Sequence, residues 1–201
     1  MTITLYEPFR AVFYTGFYAA HALDAYKAEG LDVRLAQPAD PAGAAPGILA
    51  GEADVIWSGP MRLLQHHDRD SHCALVGFCE VVTRDPFMLV GREPRPQFRF
   101  TDLKGLRLGT VAEVPTPWMC VQEDIRRAGV DPASLDRVDG ETMASNAEAL
   151  RAGRLDVVQL FEPYVEQLVA SGAGHIWYAA ADRGPTSYTT LITTKEKLRR
   201  E

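Results

Sequence analysis

The chain lacks the marks of most familiar enzymes, metal proteins and nucleic-acid binders. Its 201 residues include three cysteines, Cys73, Cys79 and Cys120, and no CxxC. An odd set cannot pair completely within the chain, so reduced structural thiols are expected. No GxSxG, HExxH, P-loop or GxGxxG is present, which leaves no catalytic signature and no cofactor fingerprint. The expectation is a non-enzyme that carries no cofactor. Lysine plus arginine number 21 against 27 acids, for a net charge of −6, and the bases form no stripe. That balance argues against nucleic acid as a partner. No apolar run approaches the roughly 20 residues needed to cross a bilayer. Met1-Thr2-Ile3-Thr4-Leu5-Tyr6-Glu7 has neither a basic n-region nor an apolar h-region. The expected compartment is therefore the cytoplasm, or the periplasm if the N-terminus has been trimmed. The run His66-His67-Asp68-Arg69-Asp70 comes nearest to a metal motif. Adjacent histidines on a helix project about 100° apart and share an ion poorly, so a solvated helix end is expected there, and no metal.

What the chain does have is a phrase written twice. Leu49-Ala50-Gly51-Glu52-Ala53-Asp54-Val55-Ile56 precedes Pro60, and Leu150-Arg151-Ala152-Gly153-Arg154-Leu155-Asp156-Val157-Val158 precedes Pro163. In each, a helix would end at the Ala-Gly pair and an Asp would lead a short buried strand. A fainter echo precedes each copy: Glu29-Gly30-Leu31-Asp32-Val33 and Ala128-Gly129-Val130-Asp131-Pro132. The reading is two α/β lobes of similar plan with a small-molecule cleft between them; chance recurrence of a common helix-Gly-strand phrase is the alternative.

Pattern along the chain gives strands at Ile3 to Tyr6, Leu31 to Leu35, Val55 to Trp57 and Cys73 to Val82, with one helix over 16–28. A loop from Pro38 to Gly47 leads to a short helix ending at Gly51, and Ser58-Gly59-Pro60 opens the next helix. This β-α-β-α-β-α-β order produces a parallel sheet covered by helices. After a surface excursion at Arg92 to Thr101, strands are expected at Leu106 to Val111, Leu135 to Val138, Asp156 to Leu160, His175 to Ala180 and Tyr188 to Thr193. Thr116-Pro117 reads as N-cap and first position of a helix to Ala128, and further helices run from Met143 to Ala152 and from Pro163. The charged Lys195 to Glu201 begins a helix that stops abruptly, which suggests a missing C-terminal portion.

Ligands of open parallel sheets bind beyond the carboxyl ends of the strands. Candidates at that edge are Phe9, Tyr14 and Thr15 after the first strand, and Ser58, Gly59 and Arg62 after the third. The second lobe offers Pro115, Thr116 and Trp118, with Glu162, Tyr164 and Tyr188. Helix starts at Ser58-Gly59 and Thr116 would favour an anionic group, or serve simply as caps. The aromatics suit a planar ligand or ordinary core packing, the latter above all for Phe17 and Trp57. Glu162 either accepts a hydrogen bond from a ligand amine or caps a helix.

These phrases, in this order, resemble the NMT1/THI5-like (SsuA/ThiY-type) substrate-binding proteins of ABC transporters: Tyr18-Ala19-Ala20 through Val33, then Leu49 to Val55, Ser58-Gly59-Pro60, Thr101-Asp102-Leu103-Lys104-Gly105-Leu106-Arg107-Leu108-Gly109, and Leu150 to Pro163. The resemblance implies a type II periplasmic-binding-protein fold with two α/β lobes, mainly parallel sheets and two strand crossovers, near Val82 to Asp85 and Ser187 to Thr190. Lobe 1 would be 1–83 completed by 189–201 and C-terminally truncated, and lobe 2 would be 84–188. It implies capture of a small planar or anionic ligand, such as a thiamine-pyrimidine precursor, a sulfonate or an aromatic acid, with an ABC permease as partner. A cytoplasmic enzyme of carbon–sulfur or menaquinone-precursor chemistry on the same scaffold, and a ligand-sensing module, are the alternatives. The cysteine-rich iron motif of the eukaryotic pyrimidine synthases is absent, which argues against that self-consuming enzyme.

Overall fold

In the computed structural model, residues 2–38 and 43–200 are described. Part of the Pro38 to Gly47 loop, residues 39–42, lies outside them. The chain forms two compact units, one of residues 1–84 with 185–201 and the other of residues 85–184.

The first unit is built on β1 (Thr2–Tyr6), β2 (Asp32–Ala36), β3 (Val55–Ser58), β4 (Leu75–Val82) and a strand from the far end of the chain, Thr189–Thr194. The second is built on β5 (Met88–Gly91), β6 (Arg107–Val111), β7 (Asp136–Glu141), β8 (Val157–Leu160) and β9 (His175–Ala179), which makes Thr189–Thr194 β10. The sheet orders are β2-β1-β3-β10-β4 and β7-β6-β8-β5-β9. Each is the same plan. Two parallel pairings flank β1 in one unit and β6 in the other, and one strand, β10 or β5, is inserted antiparallel to both its neighbours. The sheets are mixed rather than purely parallel, because the inserted strand enters from a distant part of the chain in the opposite direction.

The repeated phrase falls at one place in that plan. Gly51 (φ 78°) and Gly153 (φ 69°) close α3 (Ala44–Leu49) and α6 (Met143–Arg151), in a backbone region that a β-carbon disfavours. Gly30 and Gly129, the fainter pair, both have φ 75°. The Asp that follows makes matching bonds in both units. Asp54 N–H donates to Thr4 O (2.9 Å), and Thr4 N–H donates back to Asp54 Oδ2 (2.7 Å). Asp156 N–H donates to Arg107 O (3.0 Å), and Arg107 N–H donates back to Asp156 Oδ2 (3.0 Å). The Asp carbonyl then accepts from the inserted strand's side, from Thr193 Oγ1 (2.7 Å) in one unit and Arg92 N–H (3.0 Å) in the other. A cation completes each clip: Lys197 Nζ on Asp54 Oδ1, and Arg92 Nη2 on Asp156 Oδ1 at 3.3 Å. One sequence phrase thus does one job twice, tying the approach to β3 onto β1 and the approach to β8 onto β6.

Helix boundaries follow local chemistry. The single helix expected over 16–28 is two, α1 (Thr15–Ala22) and α2 (Ala25–Ala28), because Asp24 adopts a left-handed φ of 55° between them. α4 (Pro60–Arg69) starts on Gly59 with proline at its first position and ends on His66, His67 and Arg69, which suit the negative pole. α5 (Thr116–Arg127) starts one residue earlier than expected: Pro115 is the N-cap and Thr116 already lies in the helix. Its buried Pro117, Val121 and Ile125 recur every fourth residue and face the unit's core of Leu89, Leu103, Leu108, Val130, Leu135 and Val157. α7 (Tyr164–Ala170) and α8 (Lys195–Arg200) complete the set. Strand β5 had no clear sequence signal, yet it sits between β8 and β9, with Leu89 and Val90 fully buried. Among the described residues no helix is long and apolar enough to cross a membrane.

Candidate functional site

In the first unit, the residues after β1 fold into an aromatic cluster. Tyr14 is 3% exposed; its ring lies 5.8 Å from Phe9, 4.6 Å from Phe13 and 5.2 Å from Trp57. Phe17 stacks on Trp57 at 4.5 Å with an interplanar angle of 5°. The Tyr14 hydroxyl shares a 3.1 Å hydrogen bond with Thr189 Oγ1 on β10, and burial pushes its pKa up to about 12. Tyr14 and Phe9 therefore pack the wall behind the carboxyl edge. Thr15 is exposed and turns its hydroxyl back onto Val12 O at 2.5 Å. Burial and a hydrogen bond to Glu7 hold the Tyr18 phenol well above its ordinary pKa. Ser58 ends β3 and is buried; its carbonyl accepts from Thr190 Oγ1 at 3.3 Å. Gly59 and Arg62 form the first turn of α4, where Arg62 N–H donates to Gly59 O at 3.1 Å. Tyr188 is buried, with its N–H donating to Val82 O at 2.8 Å.

In the second unit the loop after β6 is held at several points. Ala112 N–H donates to Glu141 O at 3.0 Å, and Glu113 Oε1 accepts from Met143 N–H at 2.9 Å, capping α6. Gln159, on β8 and 3% exposed, donates from Nε2 to Pro117 O at 2.9 Å. Pro115 and the buried Thr116 form the start of α5 immediately above this contact. Trp118 points elsewhere: it packs against the core of its own unit beneath the Arg137 guanidinium, 4.7 Å from the ring centre, and lines a hollow of about 310 Å³ with Gln122, Arg126 and Leu135. Glu162 caps α7, its Oε2 accepting from Glu166 N–H at 2.9 Å, which was one of its two expected roles. Tyr164 begins α7, and its N–H donates to Phe161 O at 3.1 Å.

Three residues that carry this geometry were absent from the candidates read off the sequence. Gln159 stands alone as a polar residue within the buried Val157-Val158-Gln159-Leu160, and that interruption was its signal. Asp85, 2% exposed, and Arg183 lie near the two ends of the second unit's chain segment and pair with each other. Burial pushes the Asp85 carboxyl above its usual range, against the opposing pull of the Phe87 N–H (3.0 Å) and the Arg183 guanidinium. Arg183 Nε also lies 3.5 Å from Asp124 Oδ2 on α5, which accepts from the Tyr178 hydroxyl at 2.8 Å. Burial and then the neighbouring Asp85 raise the Cys120 thiol pKa. Nothing in the spacing of 85, 124 and 183 announces that they meet.

His67 Nε2 sits 3.0 Å from Leu75 O, so that ring ties α4 to β4, and burial followed by the nearby Arg69 lowers the His66 pKa. Among the described residues no group of His, Cys, Asp and Glu is arranged to hold a metal ion.

The comparisons with known proteins agree with this architecture. YtlA, a candidate binding protein of Bacillus subtilis (strain 168), is 27% identical over 128 residues, which are 63% of this chain and 38% of that protein. The chain therefore matches well under half the length of that relative. The periplasmic aliphatic sulphonate binding protein SsuA of Escherichia coli superimposes with a TM-score of 0.80 at 15% identity, covering 99% of this chain and 67% of SsuA. PhnD1 of Prochlorococcus marinus (MIT 9301), solved with methylphosphonate, gives 0.70 at 11% identity over 99% of this chain and 78% of its own. At such identities the likeness speaks for the fold: two mixed α/β sheets of the type II periplasmic-binding-protein kind. YtlA and SsuA are both named as binding proteins. The NMT1/THI5 like family model matches residues 12–201, and this chain belongs to that family.

Proposed function

We propose that this protein captures a small solute bearing a tetrahedral oxyanion and hands it to an ABC importer. The observation that carries the reading is the doubled plan. Two sheets of one topology each set a helix start after a strand end, at Gly59–Arg62 on α4 after β3 and at Pro115–Thr116 on α5 after β6. The positive pole of a helix favours an anion there. The named neighbours that bind sulphonate and methylphosphonate support the choice of anion.

Thermal unfolding with methanesulfonate, methylphosphonate, taurine and sulfate tests this. At a ligand concentration of 100 times Kd the folded state gains about 2.7 kcal/mol, and at this chain length that raises Tm by roughly 5–11 °C. No rise with any of these anions at millimolar concentration refutes the proposal.

A further inference from the structure

The sheet of the second unit ends at β9, and among the described residues no strand pairs with its outer edge. An open edge offers backbone N–H and C=O groups to another extended chain. Beside it lies a hollow of about 390 Å³, between Pro94, Arg95 and Pro96 on one side and Val169, His175 and Ile176 on the other. Among the described residues of this unit, Val169 and Ile176 are the large apolar side chains left exposed, at 40% and 49%, and they share this hollow. The facing wall is fixed. Trp177 Nε1 donates to Glu93 O at 2.7 Å, and the Arg95 guanidinium lies over the Trp177 ring, 4.7 Å from its centre. Prolines at 94 and 96 restrict that stretch further, so little ordering is left for a partner to impose.

Charge selects the partner. The chain carries a net −6, yet residues 92–101 hold three arginines, Arg92, Arg95 and Arg99, against one acid, Glu93. The hollow is lined by Arg95 and His175 and by no carboxylate. Arg95 keeps an ion pair with Asp102 Oδ2 at 3.6 Å, and its side chain is still 37% exposed. A second copy on this edge would turn the same arginines toward one another, because a twofold contact uses one patch on both sides, and like charges disfavour it. We propose that the outer edge of β9 and its hollow dock an extended, acidic segment of a partner protein, which adds as a strand and sets an apolar side chain against Val169 and Ile176. The two faces of β9 differ: Ile176 joins Val169, whereas Trp177, at a register shift of β9 against β5, packs on the unit's core under Arg95. A segment that alternates apolar and acidic side chains matches both faces. This surface uses neither of the helix starts assigned to the solute.

The probe is a fluorescein-labelled peptide, Glu-Val-Glu-Leu-Glu-Val-Glu with an amidated C-terminus, titrated with the intact chain and followed by fluorescence anisotropy. Saturable binding with a Kd below about 1 mM is expected. Arg95→Glu reverses one charge at the hollow and should weaken binding about tenfold or more. Val169→Asp, at a half-exposed position, should weaken it to a similar degree while leaving Tm unchanged. Two control peptides separate strand addition from simple attraction: one with Lys for every Glu, and one with the four Glu placed first and Val-Leu-Val last. Each should bind at least about tenfold more weakly than the probe. No saturation by about 1 mM, an affinity that neither variant lowers, or equal binding of either control overturns the proposal. So does a concentration-dependent dimer, seen by sedimentation velocity, that Val169→Asp dissolves, because the edge would then serve a second copy.

Discussion

Arg183 offers the sharpest test of how the second unit is held together. Its guanidinium faces Asp85, which is 2% exposed, and Asp124, while among the described residues the Phe87 N–H is the further donor to Asp85. Arg183→Met preserves most of the side-chain volume and removes the charge, leaving a carboxylate buried beside a single amide. Breaking a fully buried pair costs about 3–5 kcal/mol. The Arg183 side chain is 29% exposed, so water recovers part of that, and about 2–4 kcal/mol is expected. At this length the loss lowers Tm by roughly 4–16 °C.

The pH dependence fixes the cause. Asp85 is raised by burial, so the folded state holds its proton more tightly than the unfolded chain. Its favourable contribution is complete below the unfolded pKa and is lost as pH rises through the folded one. Removing Arg183 raises the folded value further. The deficit of the variant, measured by urea unfolding, should therefore be larger at about pH 7.5 than at about pH 5. Adding Asp85→Asn to Arg183→Met should recover roughly half of the loss or more, because the neutral amide still accepts from Phe87 N–H. A deficit below about 1 kcal/mol, or one that neither pH nor the second substitution changes, refutes this account of the network.

Two other stability predictions follow from the fold. Asp54→Ala and Asp156→Ala each strip one acceptor from a strand N–H, and each should cost about 1–2 kcal/mol by urea unfolding; unequal effects beyond a factor of three would break the equivalence of the two clips. Burial pushes the Asp54 carboxyl up, but Lys197 and the Thr4 N–H bring it below its usual pKa, so its contribution is present at neutral pH and is lost as pH falls through the folded value. Gly91→Ala should destabilise by about 3 kcal/mol or more, since a β-carbon there would fall 1.9 Å from the Trp177 indole, which is itself tied to Glu93 O at 2.7 Å. A soluble variant with unchanged Trp177 fluorescence and Tm would show that the ring moves freely, contrary to its packing.

The residues that announced this fold did so through local rules. Glycines past the helix ends, an aspartate just before β3 and β8 and a proline in the first turn of α4 all act over a few residues of chain, so their pattern was readable. The doubled phrase was legible for the same reason, and it lies at equivalent positions in the two sheets. Helix α1 was read too long because one left-handed residue, Asp24, breaks it, and aspartate is only an occasional visitor to that conformation. The candidate site was legible in its helix starts, at Gly59 and near Thr116. It was not legible in side-chain direction: Trp118 turns to its own core and Arg137, and Glu162 spends an oxygen on α7.

The sequence by itself determined the alternation of helices and strands, the two matching halves and the family, since each depends on short-range conformational preference and on order along the chain. Only the tertiary structure decided that β10 and β5 enter their sheets antiparallel, that Asp85 meets Arg183 across 98 positions, and that Gln159 and Glu113 are left as buried acceptors. Such partners are chosen by the packing of distant segments, and hydrogen bonding between segments so far apart leaves no periodic trace in the chain.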